Sequence, residues 1–214
     1  MDIIRQEVTM AKVHFIDVTN RDGVQAARIE MSKFQRTMVN YYLGQLGVYQ
    51  AEFAFPFIWH EENYVNANVE LAQMGAMGDL ILEGWCRAVV GDVQKSLQNT
   101  QVKHLNVSIS TSDQMIDGKF RGKVDREGVI DMMVDAVHAA LDSGVETVGA
   151  NAEDSSRSEM DFLVQYARAA KDAGACRVRY CDTLGLESPD SIYQRVYTLA
   201  RETGIDIELH CHND

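Results

Sequence analysis

Short apolar runs of the β type alternate with longer amphipathic segments along the whole chain. Their length and their content of β-branched and aromatic residues predict strands. The seven predicted strands are VHFIDVT (13–19), QAEFAFP (50–56), LILEGWCRAV (80–89), HLNVSIS (104–110), ETVGAN (146–151), CRVRYCD (176–182) and IDIELHC (205–211).

The segments between these runs carry the periodicity of amphipathic helices. In SKFQRTMVNYYLGQLG the apolar residues fall on one helical face, namely Phe34, Met38, Tyr41, Tyr42 and Leu46. The segments ENYVNANVELAQMG, DREGVIDMMVDAVHAALDSG, SEMDFLVQYARAAKDAG and SPDSIYQRVYTLARETG repeat this form. Several begin at Ser or Asp and end at Gly, which are helix-capping signals. Gly47, Gly144, Gly174 and Gly204 each stand just before a strand, where a left-handed C-cap reverses the chain.

Seven consecutive βα repeats predict a parallel sheet, because each helical crossover returns the chain in the same direction. An open doubly wound sheet and a (β/α)8 TIM barrel are the competing architectures. The turn after the first strand, RDGVQ, lacks the GxGxxG pattern of nucleotide-binding sheets, and polar residues end nearly every strand. The pattern therefore favours a single catalytic TIM-barrel domain over residues 1–214, truncated after strand seven. The eighth βα unit and any C-terminal domain are expected outside these residues.

Composition restricts the partners. The net charge of −12 and the pI of about 4.9 argue against binding to nucleic acid or to an anionic membrane surface. The sequence shows neither an N-terminal signal peptide nor an apolar run long enough for a membrane span. Its four cysteines show no CxxC pairing and are typical of reduced thiols. We expect a cytoplasmic protein.

The end of the chain carries a candidate metal site. His210 and His212 alternate with Cys211, so both imidazoles point to one side of the last strand, with Cα atoms roughly 7 Å apart. In a barrel the first strand lies near the seventh, which would bring Asp22 of DVTNRDGVQ to the two histidines. The alternatives are hydrogen-bonded surface histidines and an ordinary RDG turn.

The second strand places a carboxylate among apolar neighbours. Glu52 of QAEFAFP is costly to bury unless it is paired, and Arg21 on the adjacent strand is its natural partner. A purely structural ion pair is the alternative, and it is compatible with a catalytic role of the arginine.

Taken together, these motifs resemble the DRE-TIM metallolyase superfamily. HCHND is similar to the metal motif of its condensing enzymes, the isopropylmalate, homocitrate, citramalate and Re-citrate synthases. ANAEDSSRSEMDFL (150–163) resembles their strand-five signature, CDTLG (181–185) the strand-six Asp-Thr motif, and GWCRAVVGDV (84–93) the strand-three arginine segment. The likeness covers nearly the whole chain, in the family's order.

The resemblance implies a role for each matching position. Asp22, His210 and His212 would hold a divalent metal (Mg²⁺, Mn²⁺, Zn²⁺ or Co²⁺). Arg21, oriented by Glu52, would stabilise the developing oxyanion, and Asp182 and Thr183 would border the reacting centre. The residues implied to bind substrates are Arg87, Glu153, Arg157 and Thr183. For Asp182 and Arg157 the alternatives are a helix cap and a solvated first-turn residue.

Two positions depart from the pattern. Val24 stands where many condensing members have Glu, and Asn106 where many relatives have His, which leaves the acceptor preference open. The family's eighth strand and a C-terminal catalytic histidine, often supplied across a dimer, would lie outside these residues. The resemblance therefore implies a homodimer at full length and an inactive chain without those parts.

The implied reaction is a metal-dependent Claisen-type condensation of acetyl-CoA with a 2-oxo acid, either 2-oxoglutarate or oxaloacetate, with release of CoA. The main alternative is carbon–carbon cleavage of the kind catalysed by 3-hydroxy-3-methylglutaryl-CoA lyase or the oxo-acid aldolases. The same ligand set would also suit a non-haem Fe(II) oxygenase, a class normally built on all-β sheets, or a non-catalytic metal-binding half-barrel.

Overall fold

The computed structural model describes residues 12–212. Their seven strands form one parallel sheet in the order β1 to β7. The strands are β1 Ile16–Asp17, β2 Gln50–Ala54, β3 Ile81–Arg87, β4 His104–Ser110, β5 Thr147–Glu153, β6 Arg177–Asp182 and β7 Asp206–Cys211. Asn213 and Asp214, the last residues of the HCHND motif, lie outside the described residues.

Seven α-helices cover the sheet in these residues. They are α1 Lys33–Gln45, α2 Glu62–Gln73, α3 Val90–Asn99, α4 Asp113–Phe120, α5 Arg126–Asp142, α6 Met160–Asp172 and α7 Pro189–Thr203. All five predicted helices are confirmed, and α3 and α4 are additional. The α4 helix is an extra element before α5; Ser112 caps its first turn by accepting the N–H of Met115.

The sheet is curled rather than open. The loop after β1 reaches the end of β7, where Asp22 Oδ2 lies 3.5 Å from His210 Nε2. This curvature, with a helix after each strand, gives the predicted barrel class with seven strands among residues 12–212. No helix of this range is long and apolar enough to cross a membrane.

The first strand is much shorter than predicted. Only Ile16 and Asp17 pair with β2, whereas Val13 and Phe15 are each 79% exposed. The strand ends early because the Asp17 carboxylate binds the N–H and hydroxyl of Thr19, which starts a turn. With β2 as the only neighbour of β1 among the described residues, the apolar residues before Ile16 have no sheet to join.

The first helix forms as predicted, but its apolar stripe faces outward. Phe34 and Leu46 are largely exposed, and the buried residues of α1 are the polar Arg36 and Asn40. The Arg36 guanidinium binds both Glu61 carboxylate oxygens at 2.8 Å and the Phe53 carbonyl at 2.9 Å. Polar contacts therefore help attach α1 to the sheet, together with Leu43, which lies outside the predicted stripe and packs against the apolar core.

Glycine ends the helices where the sequence predicts. The four glycines before strands have positive φ angles of 72°, 87°, 97° and 60°, namely Gly47, Gly144, Gly174 and Gly204. At Gly204 the left-handed cap donates its N–H to the Ala200 carbonyl, so the chain turns directly into β7. This turn sets the register that brings His210 beside Cys181 of β6.

Candidate metal centre and active site

Three ligand atoms converge at the carboxyl end of the curled sheet. The Asp22 Oδ2 atom lies 3.5 Å from His210 Nε2 and 3.7 Å from His212 Nε2. The two imidazole Nε2 atoms are 3.1 Å apart. A divalent ion with ligand bonds of about 2.1 Å separates its donor atoms by roughly 3.0 to 3.4 Å in octahedral or tetrahedral geometry. Two nitrogens and one carboxylate oxygen at these spacings fit such an ion.

Backbone hydrogen bonds fix the three ligands. The Val18 carbonyl accepts the N–H groups of Arg21, Asp22 and Gly23 at 2.8 to 3.2 Å, so the loop after β1 is a tight turn. On the other side, the N–H of His212 donates to the Asp182 carbonyl at 3.1 Å. The turn and the β6–β7 register therefore position both halves of the cluster.

The Asp22 carboxylate is ionised at neutral pH. A hydrogen bond with His210 lowers its pKa to about 2, burial opposes this, and the charge of Arg21 lowers it further. An ionised carboxylate is the form in which Asp22 can bind a cation.

Arg21 joins the cluster to the interior of the sheet. Its Nη1 donates to Asp22 Oδ1 at 3.0 Å, and its Nε donates to Glu52 Oε1. The guanidinium also lies over the Trp85 ring, 5.5 Å from the centroid. Arg21 and Glu52 are both buried, so the predicted pair is present and is aimed at the ligand cluster.

Glu52 is a fully buried carboxylate that stays charged. Burial raises its pKa, but the charges of Arg179 and Arg21 outweigh burial and lower the pKa to about 2. The Asn106 side-chain amide also donates to Glu52 Oε2, at 3.2 Å. Asn106, noted in the sequence as a departure from the family pattern, thus contacts the partner of Arg21.

Asp182 and Thr183 lie beside the centre in structural contacts. The Asp182 carboxylate accepts the N–H of Leu186 at 3.0 Å and that of Glu187 at 2.9 Å, so it caps the turn before α7. Thr183 Oγ1 accepts the N–H of Asp154 at 3.1 Å. Asp182 contacts the ligand cluster through its main chain, which binds His212; a catalytic role of its carboxylate stays a prediction.

The other predicted substrate residues each have a partner away from the cluster. Arg87 makes a two-point ion pair with Asp92 of α3, at 2.6 and 3.0 Å, and its side chain is largely exposed. Arg157 binds Asp154 through Nε at 2.9 and 3.0 Å.

Glu153 accepts from Ser110 and Lys119, each at 2.7 Å. Within residues 12–212, the contacts given above hold Arg87, Arg157 and Glu153 against Asp92, Asp154, Ser110 and Lys119. Their binding roles stay predictions.

Sequence reasoning missed a set of charged residues inside the sheet. Arg177 and Arg179 of β6 and Glu208 of β7 point to the same interior as Glu52 and Glu83. The available signal was the alternation in RVRY and DIEL, where charged residues occupy every second position of a strand. Interiors of barrels of this class are dominated by branched apolar residues, so charges there are informative.

The family comparison supports the same class of protein. The HMGL-like family model matches residues 12–214, and the chain belongs to this family. The curated relatives are synthases of the DRE-TIM metallolyase superfamily. This membership agrees with the parallel βα sheet. The oxygenase hypothesis gains no support, because that class of enzyme is normally built on all-β sheets.

Particular relatives refine the comparison. The chain is 52% identical over 206 residues to "Citrate (Re)-synthase" of Dehalococcoides mccartyi, covering 96% of this chain and 50% of that protein. It is 39% identical to "2-isopropylmalate synthase 2" of Caldanaerobacter subterraneus subsp. tengcongensis, covering 94% and 50%. The chain thus spans about half the length of these relatives. The crystal structure of Bacillus subtilis HMG-CoA lyase shares the fold, with a TM-score of 0.72, 15% identity, and coverage of 94% and 69%.

Glu52→Gln should change how stability depends on pH. Because the pKa of Glu52 is lowered from 4.5 to about 2, its ionised form stabilises the fold above pH 4.5, and this contribution is lost as pH falls toward 2. The difference in unfolding free energy between the native chain and Glu52→Gln should shrink by about 3 kcal/mol between pH 5 and pH 2. Urea unfolding at a series of pH values measures it.

The control for this experiment is Glu70→Gln, which changes an exposed carboxylate of α2. Its unfolding free energy should follow the native pH curve. A pH-independent difference for Glu52→Gln would show that the buried carboxylate is not held in its ionised form.

Proposed function

We propose that the protein catalyses a divalent-metal-dependent Claisen-type condensation of acetyl-CoA with a 2-oxo acid, with release of CoA. Oxaloacetate is the first candidate acceptor and 2-oxoglutarate the second. The observation that carries the proposal is the convergence of Asp22, His210 and His212 next to a buried, fixed Arg21. The 52% identity to a citrate (Re)-synthase supports oxaloacetate.

The donor set determines what a bound metal would contribute. Held by Asp22, His210 and His212, a divalent cation supplies Lewis-acid polarisation of the 2-oxo carbonyl. Mg²⁺, Mn²⁺, Zn²⁺ and Co²⁺ are all compatible with two imidazoles and a carboxylate. The cation also provides a local positive charge that lets a chain of net charge −12 bind an anionic acid.

The protein's own residues provide the fixed charge. After the acetyl methyl group has lost a proton, its carbon attacks the 2-oxo carbon, and negative charge develops on the former carbonyl oxygen of the acid, which then takes up a proton to become a hydroxyl. Arg21 is oriented before the reaction, since Nε is bound to Glu52 and Nη1 to Asp22. A guanidinium that is already oriented needs no reorganisation when this charge develops, which is the basis of electrostatic catalysis by preorganised groups. Hydrolysis of the thioester bond then releases CoA and drives the condensation.

The proposal includes the cellular location and the oligomeric state of the full-length protein. We place the protein in the cytoplasm and expect a homodimer at full length. The lyase hypothesis gains no independent support from HMG-CoA lyase, because similarity at 15% identity shows the fold alone.

A substrate panel tests the proposal. With Mn²⁺ or Mg²⁺, the full-length protein should release thiol from acetyl-CoA in the presence of oxaloacetate or 2-oxoglutarate, and much more slowly with pyruvate or 2-oxoisovalerate. A chelator should stop the reaction. Cleavage of 3-hydroxy-3-methylglutaryl-CoA without any 2-oxo acid, in a protein that releases no thiol from acetyl-CoA, would replace the synthase with the lyase.

A further inference from the structure

Six charged side chains alternate in sign inside the curled sheet. In order of contact they are Arg21, Glu52, Arg179, Glu208, Arg177 and Glu83. Burial raises the pKa of Glu83, the last member, to about 7, whereas Glu52 and Glu208 each lie between two arginines. Such a chain is expensive to bury and adds little net stability compared with apolar packing, so its presence suggests a role other than stability.

Arg179 is the member that connects this network to the active-site arginine. It is completely buried, and its Nη2 lies 2.6 Å from Glu52 Oε2. The other oxygen of the same carboxylate accepts from Arg21 Nε. The two arginines therefore share Glu52, one on each oxygen.

Arg179 is itself held in place from the opposite side. Its Nε donates to Glu208 Oε1 at 2.5 Å, and Glu208 Oε2 accepts from Arg177 Nε at 2.7 Å. Gly149 of β5 leaves the room that this layer needs, because a Cβ there would lie 3.4 Å from Arg177 Nη2 and 3.3 Å from Asn106 Oδ1. Complete burial and the ion pairs with Glu52 and Glu208 leave the guanidinium of Arg179 little freedom to move.

We infer that Arg179 is a positioning residue: it fixes the rotamer of Glu52 and so aims the Arg21 guanidinium at Asp22. Without Arg179, Glu52 keeps only Arg21 and the weaker amide contact of Asn106 on its two oxygens. The carboxylate and Arg21 can then rotate together, away from the ligand cluster. The kinetic part of this inference rests on the proposed function, whereas the geometric part does not.

The test compares Arg179→Gln with Arg177→Gln. Both changes remove one buried cation from the network, but Arg177 contacts Glu208 and Glu83 rather than Glu52. In the full-length protein, Arg179→Gln should lower kcat by about 10- to 100-fold, as expected when a catalytic group is displaced by about 1 Å. The KM for the 2-oxo acid should change by less than about 3-fold. Arg177→Gln, which acts on Glu52 only through Glu208 and Arg179, should lower kcat by less than Arg179→Gln does, and Arg179→Lys should restore part of the loss.

A second readout is independent of turnover. The Nε–Hε resonance of Arg21 in a ¹⁵N–¹H spectrum, assigned by its absence in Arg21→Lys, reports the hydrogen bond to Glu52. It should shift or broaden in Arg179→Gln and change less in Arg177→Gln. If Arg179→Gln does not fold, Arg179→Lys takes its place in the comparison. Lysine keeps the positive charge but lacks the separate nitrogens with which Arg179 contacts Glu52 and Glu208.

The outcomes separate the two claims. An unchanged Arg21 resonance in a folded Arg179 variant, or an equal loss of kcat in the Arg177 variant, overturns the positioning role. A native protein without condensation activity, in which the Arg21 resonance still responds more strongly to Arg179→Gln than to Arg177→Gln, overturns the proposed function and supports the positioning.

Discussion

His210→Ala combined with His212→Ala should abolish both metal binding and metal-dependent CoA release. The two imidazoles supply two of the three protein ligand atoms, and Asp22 remains as a single carboxylate. If the 10–16 kcal/mol typical of a four-ligand Zn²⁺ site is spread evenly, each ligand contributes about 3 kcal/mol, or about 100-fold in affinity. The double variant should therefore lose at least about 10³-fold in Mn²⁺ or Zn²⁺ affinity, measured by calorimetry on the full-length protein.

The matched control is His138→Ala, which removes an exposed imidazole from the outer surface of α5. It should bind one metal ion per chain with native affinity. A double variant that binds metal as tightly as the native protein would show that the ion sits elsewhere, and the assignment of Asp22, His210 and His212 would be wrong.

Arg21→Lys should separate metal binding from chemistry. Lysine keeps the positive charge, but it replaces the two fixed N–H groups that bind Glu52 Oε1 and Asp22 Oδ1 with a single rotating ammonium on a differently shaped side chain. The metal ligands are unchanged, so metal affinity should stay within about 10-fold. The value of kcat should fall about 10² to 10³-fold, the usual cost of one oxyanion-stabilising donor.

Steady-state kinetics with saturating metal measure this loss. Arg201→Lys, at an exposed arginine of α7 that pairs with Glu202, serves as the control and should leave kcat unchanged. A native kcat in Arg21→Lys would exclude the guanidinium from the chemical step and leave the Arg21–Glu52 pair as a structural one.

The alternation of apolar and polar residues predicted most of the fold, because each βα unit repeats the same local signals. It gave the wrong buried face for α1 and predicted a β1 strand that is too long. Periodicity shows which residues share a face, but not which face finds a partner. At α1 the contacts of Arg36 with Glu61 and Phe53 decide the orientation, and none of these lies close in sequence.

The proposed ligand cluster was predictable from topology. A barrel brings the turn after β1 to the end of β7, so Asp22 and the two histidines could be joined without knowing any distance. The ion-pair partners of Arg87 and Arg157 were not predictable, because a long, flexible arginine side chain can pair with any carboxylate within its reach. Asp92 and Asp154 fill that role here.

The interior network was the largest omission. Charges at alternate positions of RVRY suggest a solvent-facing strand when β6 is considered alone. Only the pairing of Arg179 with Glu208 on the neighbouring strand, and with Glu52 across the interior, shows that the charged face points inward.

Labelled acetyl-CoA tests the central claim most directly, since thiol release alone does not distinguish condensation from simple thioester hydrolysis. The full-length protein is supplied with acetyl-CoA carrying ¹³C at both acetyl carbons, together with oxaloacetate and Mn²⁺, and the acids formed are analysed by mass spectrometry. We predict a tricarboxylic acid that contains both labelled carbons and forms only while metal is present. Label found solely in acetate, or a labelled product that still forms after chelation, would contradict a metal-dependent condensation at this site.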